Sequence, residues 1–265
     1  MMQSHTDQLI AEKDGAIGRL IINNPQRRNA FSFAMWRALP SLLADFVADE
    51  AIRVVVLKGS GGKAFSAGND ISEFKQRRST KAQITEYDAV TACAYETLGS
   101  LRKPTIAMIE GYCIGGGLEV ALLCDLQIAA DTARFAVTPA RLGLGYKYDD
   151  VHLLVSNVGP KHAKEILFTA RQFSAAEAQQ MGIINRVVPA AELAAFVDQY
   201  AQTIAGNAPL SIKAAKQIIA ETVKGADRAD LALCQRLVDA CHASADYQEG
   251  QRAFAEKRKP KFTGR

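Results

Sequence analysis

Gly115-Gly116-Gly117 and, two residues on, Glu119 are the residues with the most chemistry in this chain of 265. The glycines lead into Leu118 to Leu123, good helix formers with no breaker. A helix beginning near Gly116 leaves backbone N–H groups without partners, and its dipole favours negative charge there. Glycine lets a ligand approach that backbone closely. Glu119 lies about one turn on, with its side chain directed back toward the helix start. One short segment then offers an N–H donor and a carboxylate to the same small region, enough to stabilise an anionic oxygen and to move a proton. The plainer reading is a strand-to-helix packing turn in which Glu119 complements the dipole. Ala67-Gly68-Asn69-Asp70 is a second candidate: Gly68 can hold a turn that exposes the N–H of Asn69, or simply make a turn.

Other chemistries lack their residues. Ser60 and Ser66 do not sit in a GxSxG nucleophile elbow, and Gly143-Leu-Gly145 lacks both a third glycine and a preceding strand. No Walker A loop occurs. Cys93, Cys113, Cys124, Cys234 and Cys241 form no CxxC pair, and His5, His152, His162 and His242 have no ligand spacing with them, so no metal site is expected. Scattered cysteines suit reduced thiols, and the N-terminal residues lack the form of a secretory signal, so a cytoplasmic protein is expected. No apolar run approaches the ~20 residues of a membrane span. A net charge of +4 is too small to argue for nucleic acid. The basic stretch from Arg252 to Arg265 reads as a solvated tail or as a site for a phosphate-rich ligand, to which Arg27 and Arg28 can add.

The elements that must position these residues read as α/β. Asp14-Gly15 between Leu9–Lys13 and Ile17–Ile22 predicts a hairpin. Ser32 caps a helix whose core face is Phe33, Trp36, Leu39, Leu43 and Phe46, with a kink expected at Pro40. Strands are expected at Arg53–Lys58, Ile106–Ile109, Asp125–Ala130, Ala133–Val137 and Ile183–Val188. A polar helix is expected over Thr80–Leu98, a helix start at Pro160 and a capping box at Ser174–Glu177. Residues 1–195 form the expected α/β core. Residues 196–265 form a helical region, in which Leu231, Cys234, Leu237, Val238 and Cys241 make an apolar stripe for the main body or a partner subunit.

From about Leu9 to Phe262 the chain resembles the crotonase superfamily, the enoyl-CoA hydratases and isomerases. The resemblance rests on Pro25-Gln-Arg-Arg-Asn-Ala30, Ala64-Phe-Ser-Ala-Gly-Asn-Asp70, Gly111-Tyr-Cys-Ile-Gly-Gly-Gly-Leu-Glu119, Phe173-Ser-Ala-Ala-Glu-Ala178 and Lys257-Arg-Lys-Pro-Lys-Phe262, in that order. It implies a crotonase (ClpP/crotonase-like) spiral of ββα units, a C-terminal helical oligomerisation region, and a homotrimer or dimer of trimers. It further implies an acyl-CoA thioester substrate, with coenzyme A carried on the substrate and no separate cofactor. By this resemblance the N–H groups of Asn69 and Gly116 bind the thioester oxygen as enolate charge develops, and Glu119 is an acid/base. Arg28, Ala30, Ala67, Gly68, Asp70 and Ile71 fall where the family contacts coenzyme A. Lys257 reaches its phosphates, on a neighbouring subunit if not on its own.

The chain departs from the family pattern at one position. Hydratases of this family usually carry a second glutamate just after the proline of the segment beginning at Phe135, and here that residue is Ala140. Thr138-Pro-Ala-Arg-Leu-Gly-Leu-Gly-Tyr146 looks instead like the loop of the methylmalonyl-CoA decarboxylase branch, whose tyrosine matches Tyr146. Tyr146 is otherwise a packed loop aromatic. Asp149 and Asp150 are candidates to replace the missing acid. An enoyl-CoA hydratase-like lyase is expected, with a decarboxylase of 2-carboxyacyl-CoA and a non-catalytic acyl-CoA binding protein as rivals.

Overall fold

Alternate residues of the central strands bury toward opposite faces, and this sets the layers. In the computed structural model, which describes residues 6–225 and 227–265, the chain opens with the hairpin β1 (Leu9–Asp14) and β2 (Ile17–Ile22), then α1 (Phe33–Ala48). Three strand-strand-helix passages follow. The first is β3 (Val54–Gly59), β4 (Ala64–Ser66), the short α2 (Phe74–Arg77) and α3 (Lys81–Gly99). The second is β5 (Thr105–Ile109), β6 (Tyr112–Ile114) and α4 (Gly116–Leu123). The third is β7 (Leu126–Ala130), β8 (Arg134–Ala136) and α5 (Tyr148–Thr169). The chain continues through β9 (Phe173–Ser174), α6 (Ala175–Gln180) and β10 (Arg186–Val188). It ends in α7 (Leu193–Ala205), α8 (Pro209–Val223), α9 (Leu231–His242) and α10 (Ala245–Ala255).

Each passage places its first strand in a six-stranded sheet, β1-β2-β3-β5-β7-β10, and its second in a four-stranded sheet, β4-β6-β8-β9. Among the described residues only β1–β2 and β8–β9 pair antiparallel. This is the expected mixed α/β arrangement of ββα units. In β3, Val55 and Leu57 join the larger core while Val54 and Val56 join a second core on the other face. In β5, Ala107 and Ile109 are divided from Ile106 and Met108 in the same way. A strand segment buried on both faces must be apolar, as Val54–Leu57 and Ile106–Ile109 are. Each fully buried Val or Ile contributes roughly 1.5–3 kcal/mol.

The hairpin, the Ser32 cap and the Ser174–Glu177 capping box form as expected. Pro40 lies inside α1. α5 is interrupted at Gly159 (φ 72°), so Pro160 opens its second segment, but its first segment, from Tyr148, was not expected. The strand entering the glycine turn is β6 rather than the expected Ile106–Ile109 run, because the chain leaves the large sheet through Gly111 (φ 67°) and starts a strand of the second sheet. The last expected strand shortens to Arg186–Val188: Ile183 and Ile184 are buried, and Asn185 instead exchanges bonds with Gln127. Position 195 falls inside α7, whose Val197, Ala201 and Ala205 pack on the large sheet. α8 to α10 lie beyond it, and α9 has no buried residue, with Leu231 71 % exposed.

Candidate active site

The site is built where α4 meets β4. A Cβ on Gly117 would overlap the backbone of Ser66, so only glycine lets the start of this helix lie against that strand. Gly68 has φ +90°, and a Cβ there would come within 3.0 Å of the Gly116 nitrogen and 2.9 Å of the Ile114 oxygen. Two separate loops are thereby brought to one point. A Cβ on Gly116 would lie 3.7 Å from the backbone nitrogen of Asn69, 3.3 Å from its Nδ2 and 3.2 Å from the hydroxyl of Tyr95.

The direction of the Asn69 N–H follows from its neighbours. Asn69 pairs with Phe31 in an isolated parallel bridge, in which Phe31 N–H donates to the Gly68 oxygen at 2.7 Å and Asp70 N–H donates to the Phe31 oxygen at 2.8 Å. Successive amides of extended backbone point to opposite sides, so the Asn69 N–H faces away from Phe31. Among the described residues, neither the Asn69 nor the Gly116 N–H has a protein acceptor. The Asn69 side chain is fixed as well: its Oδ1 accepts from Trp36 Nε1 and from the Tyr87 hydroxyl, both at 2.9 Å. Burial pushes the Tyr87 phenol up to about 12, so it remains a donor.

Glu119 lies in the first turn of α4 and is 8 % exposed. Its Oε2 accepts from the Tyr95 hydroxyl at 2.7 Å. Burial raises its pKa above the usual carboxylate range and the charge of Asp150 adds to the rise, while Tyr146, Tyr95 and Lys147 oppose it. Tyr146, partly buried from its loop, interacts with the same carboxylate in looser geometry. Burial followed by the Glu119 charge pushes both the Tyr95 and Tyr146 phenols well above their ordinary value. Desolvation also raises the Asp150 carboxyl. The arrangement can hold an anionic oxygen with two fixed N–H groups and exchange a proton through Glu119 beside it.

The structure thus brings together Asn69, Gly116, Glu119 and Tyr146. Ala67 N–H donates to the Arg28 oxygen at 2.9 Å, which ties the expected coenzyme A segments to each other. Buried Asn29 supports that junction through bonds to the oxygens of Ser60 and Ala64, next to buried Ala30. Arg28 is exposed with its guanidinium over the Tyr112 ring, and Ile71, two residues after Asn69, is exposed. The Asp70 carboxylate bonds Ser72 N and Oγ at 3.0 and 2.6 Å, so it caps the short turn Ile71–Glu73. Lys257 is not joined to this group: its tail runs to the opposite end of the sheet, where the Phe262 oxygen accepts from Arg53, just before β3. Ala140 is exposed in the turn Pro139–Leu142, and Asp149 is exposed, whereas Asp150 reaches the field of Glu119.

Sequence reasoning missed Tyr87 and Tyr95, folded into a polar helix, and took Trp36 as core alone. The available signal was spacing: Tyr87 and Tyr95 are eight residues apart, so two turns of α3 put them on one face. Among the described residues no group of three or more His, Cys, Asp or Glu could hold a metal ion, and no helix is long and apolar enough to cross a membrane.

Comparison with known proteins gives a consistent result. The enoyl-CoA hydratase/isomerase family pattern matches residues 12–265. The chain is 32 % identical to the short-chain-enoyl-CoA hydratase of Clostridium acetobutylicum over 253 residues, covering 96 % of each chain. It is 32 % identical to the crotonyl-CoA hydratase of Syntrophomonas wolfei, covering 97 % of this chain and 98 % of that one. A solved enoyl-CoA hydratase/isomerase family protein of Hyphomonas neptunium superposes with a TM-score of 0.92 at 37 % identity, over 99 % of this chain and 100 % of that one.

Proposed function

The chain belongs to the enoyl-CoA hydratase/isomerase family, within the crotonase superfamily, and is an enoyl-CoA hydratase-like enzyme; from that premise we propose that it adds water across a 2-enoyl-CoA through an enolate held by the N–H groups of Asn69 and Gly116, with Glu119 as the single acid/base. The observation that carries this reading is the approach of the two acceptor-free N–H groups to one point beside the Glu119 carboxylate. Donors fixed in advance bind the thioester oxygen more tightly as its charge grows. Glu119 takes one proton from water as the water oxygen bonds to C3. The π electrons shift to the thioester oxygen, and the resulting carboxylic acid returns that proton to C2. Water is consumed, one C–O and one C–H bond form, and the carboxylate is regenerated. A pKa raised by burial suits a group that must both take and give the proton.

Arg28, Ala30, Ala67, Gly68, Asp70 and Ile71 border the acyl site as the coenzyme A contacts, and coenzyme A arrives on the substrate without a further cofactor. The apolar stripe of α9, with Leu231 and Val238 exposed and Cys234, Leu237 and Cys241 half-buried, supports assembly as a homotrimer or a dimer of trimers, and Lys257 would then serve a neighbouring subunit. Unpaired cysteines, with Cys113 and Cys124 buried, support a reducing, cytoplasmic setting.

Tyr146 beside Glu119, with alanine at 140, favours a second reading: loss of carbon dioxide from a 2-carboxyacyl-CoA. That reaction uses the same enolate and no water-activating pair. Incubation of the purified protein with crotonyl-CoA and, separately, with methylmalonyl-CoA distinguishes the readings. Hydration abolished by Glu119→Gln supports the first, and carbon dioxide release without hydration replaces it with the second. Coenzyme A thioester binding without either turnover favours a binding protein.

A further inference from the structure

With no acid at position 140, a different group must hold Glu119 in its working orientation. We infer that Tyr95 is the positioning residue for Glu119, anchoring Oε2 so that Oε1 is left to exchange the proton. This rests on the proposed acid/base role of Glu119. Three observations carry it. The Tyr95 hydroxyl donates to Oε2 at 2.7 Å. The same hydroxyl lies 3.2 Å from the Cβ position of Gly116, which places it next to the two free N–H groups. Its ring is locked by an edge contact with Trp36, centroids 5.3 Å apart, and Trp36 also holds Asn69. One packed unit from α1 and α3 therefore sets both the oxygen-binding loop and the carboxylate. A carboxylate with one oxygen tied keeps a single rotamer, and placement errors of about 1 Å commonly cost about a hundredfold in rate.

Several groups face Glu119: Tyr95 from α3, Tyr146 from its loop, and Lys147 and Asp150 at the start of α5. Lys147 is paired with Asp88 at 2.9 Å and Arg78 shares that partner at 3.5 Å, so their charges are tied to α3 rather than to Glu119. Tyr95 is the one with a bond of ordinary length to the carboxylate.

The test reads Glu119 directly. The carboxyl stretch is followed by infrared difference titration of the ¹³C-glutamate-labelled protein, with Glu119→Gln as the blank that assigns the band. Tyr95→Phe is expected to raise the titration midpoint by on the order of one pH unit, since the charged form loses a hydrogen bond. Tyr146→Phe should move it less. Introducing 3,5-difluorotyrosine at 95, of nearly the same shape but with a more acidic hydroxyl, should move the midpoint down and keeps the test open if Tyr95→Phe fails to fold. In turnover of crotonyl-CoA or methylmalonyl-CoA, Tyr95→Phe should lower kcat about 10- to 100-fold with KM nearly unchanged. A midpoint indifferent to both changes at 95, or one moved more by Tyr146→Phe, overturns the inference. Full turnover by Glu119→Gln would instead sink the acid/base reading on which it rests, whatever the infrared midpoint does.

Discussion

Gly116→Ala separates the proposed chemistry from the stability of the fold. Gly116 begins α4 without a left-handed backbone angle, and alanine is the better helix former, so the backbone accepts the change. The added methyl would lie 3.2 Å from the Tyr95 hydroxyl, 3.3 Å from Asn69 Nδ2 and 3.7 Å from Asn69 N. The two closer contacts require those side chains to give by a few tenths of an ångström. The penalty is offset in part by helix propensity, and the net change in stability should stay within about 1 kcal/mol. For the proposed reaction the same methyl would intrude between the two loops that are to receive the thioester oxygen. Loss of one such donor commonly costs about 10²–10³ in kcat, or ~2.7–4 kcal/mol, and obstruction of both should cost at least that much. The assay pairs steady-state turnover of crotonyl-CoA with a thermal melt. A folded variant with kcat within about threefold of wild type would refute the placement of the oxygen between these loops. The neighbours should fail differently. Gly115→Ala, at φ +55° with open space around it, should lose about 1–2 kcal/mol of stability to backbone strain. Gly117→Ala collides with the Ser66 backbone and should prevent the helix from docking.

Glu119→Gln should lower kcat by about 10²–10⁴ while leaving the fold intact. Because the native Glu119 pKa is raised, the folded state holds a proton that the unfolded chain has released; stability contributed by this group therefore falls as pH rises from the model-peptide value of 4.5 through the native pKa. Urea titrations should show that decline in wild type and its absence in Glu119→Gln. Trp36→Phe removes one of the two donors to Asn69 Oδ1 and should lower kcat about tenfold, with a modest loss of stability measured by denaturant melts. Ser174→Ala removes the cap of α6 and should cost about 1 kcal/mol. Glu177, held down to about 2 by the Ser174 backbone, Arg171 and the Ser174 hydroxyl, contributes stability that is present above its ordinary range and lost as pH falls toward about 2. Acid titration of Ser174→Ala should show a weaker decline there.

Local signals made much of this fold legible. Asp14-Gly15 set a register from Leu9–Ile22 to Asp14–Ile17, and Ser32, Thr80 and Ser174 each start a helix by accepting an N–H three residues on. Asn69, Gly116 and Glu119 were legible because glycines mark where backbones touch. Strands β6 and β9 were not, since three and two residues are too few to show a period. Tyr95 was hidden for another reason: its partner is 24 residues away, on a helix whose position is decided only by tertiary packing. Lys257 lies on a tail that the folded chain ties to Arg53 rather than to the Asn69 and Gly116 loops of its own subunit, a placement that charge alone does not reveal.

The four-stranded sheet holds the N–H groups on backbone pinned by β4 and β6, while Tyr146 arrives on a surface segment with no strand of its own. Substitutions in that segment can exchange the reagent presented to a bound thioester without disturbing the seat that receives its oxygen. Such a protein is free to change which bond it breaks while its architecture stays the same, which makes the 138–147 segment the place to graft residues when seeking new reactions on this scaffold.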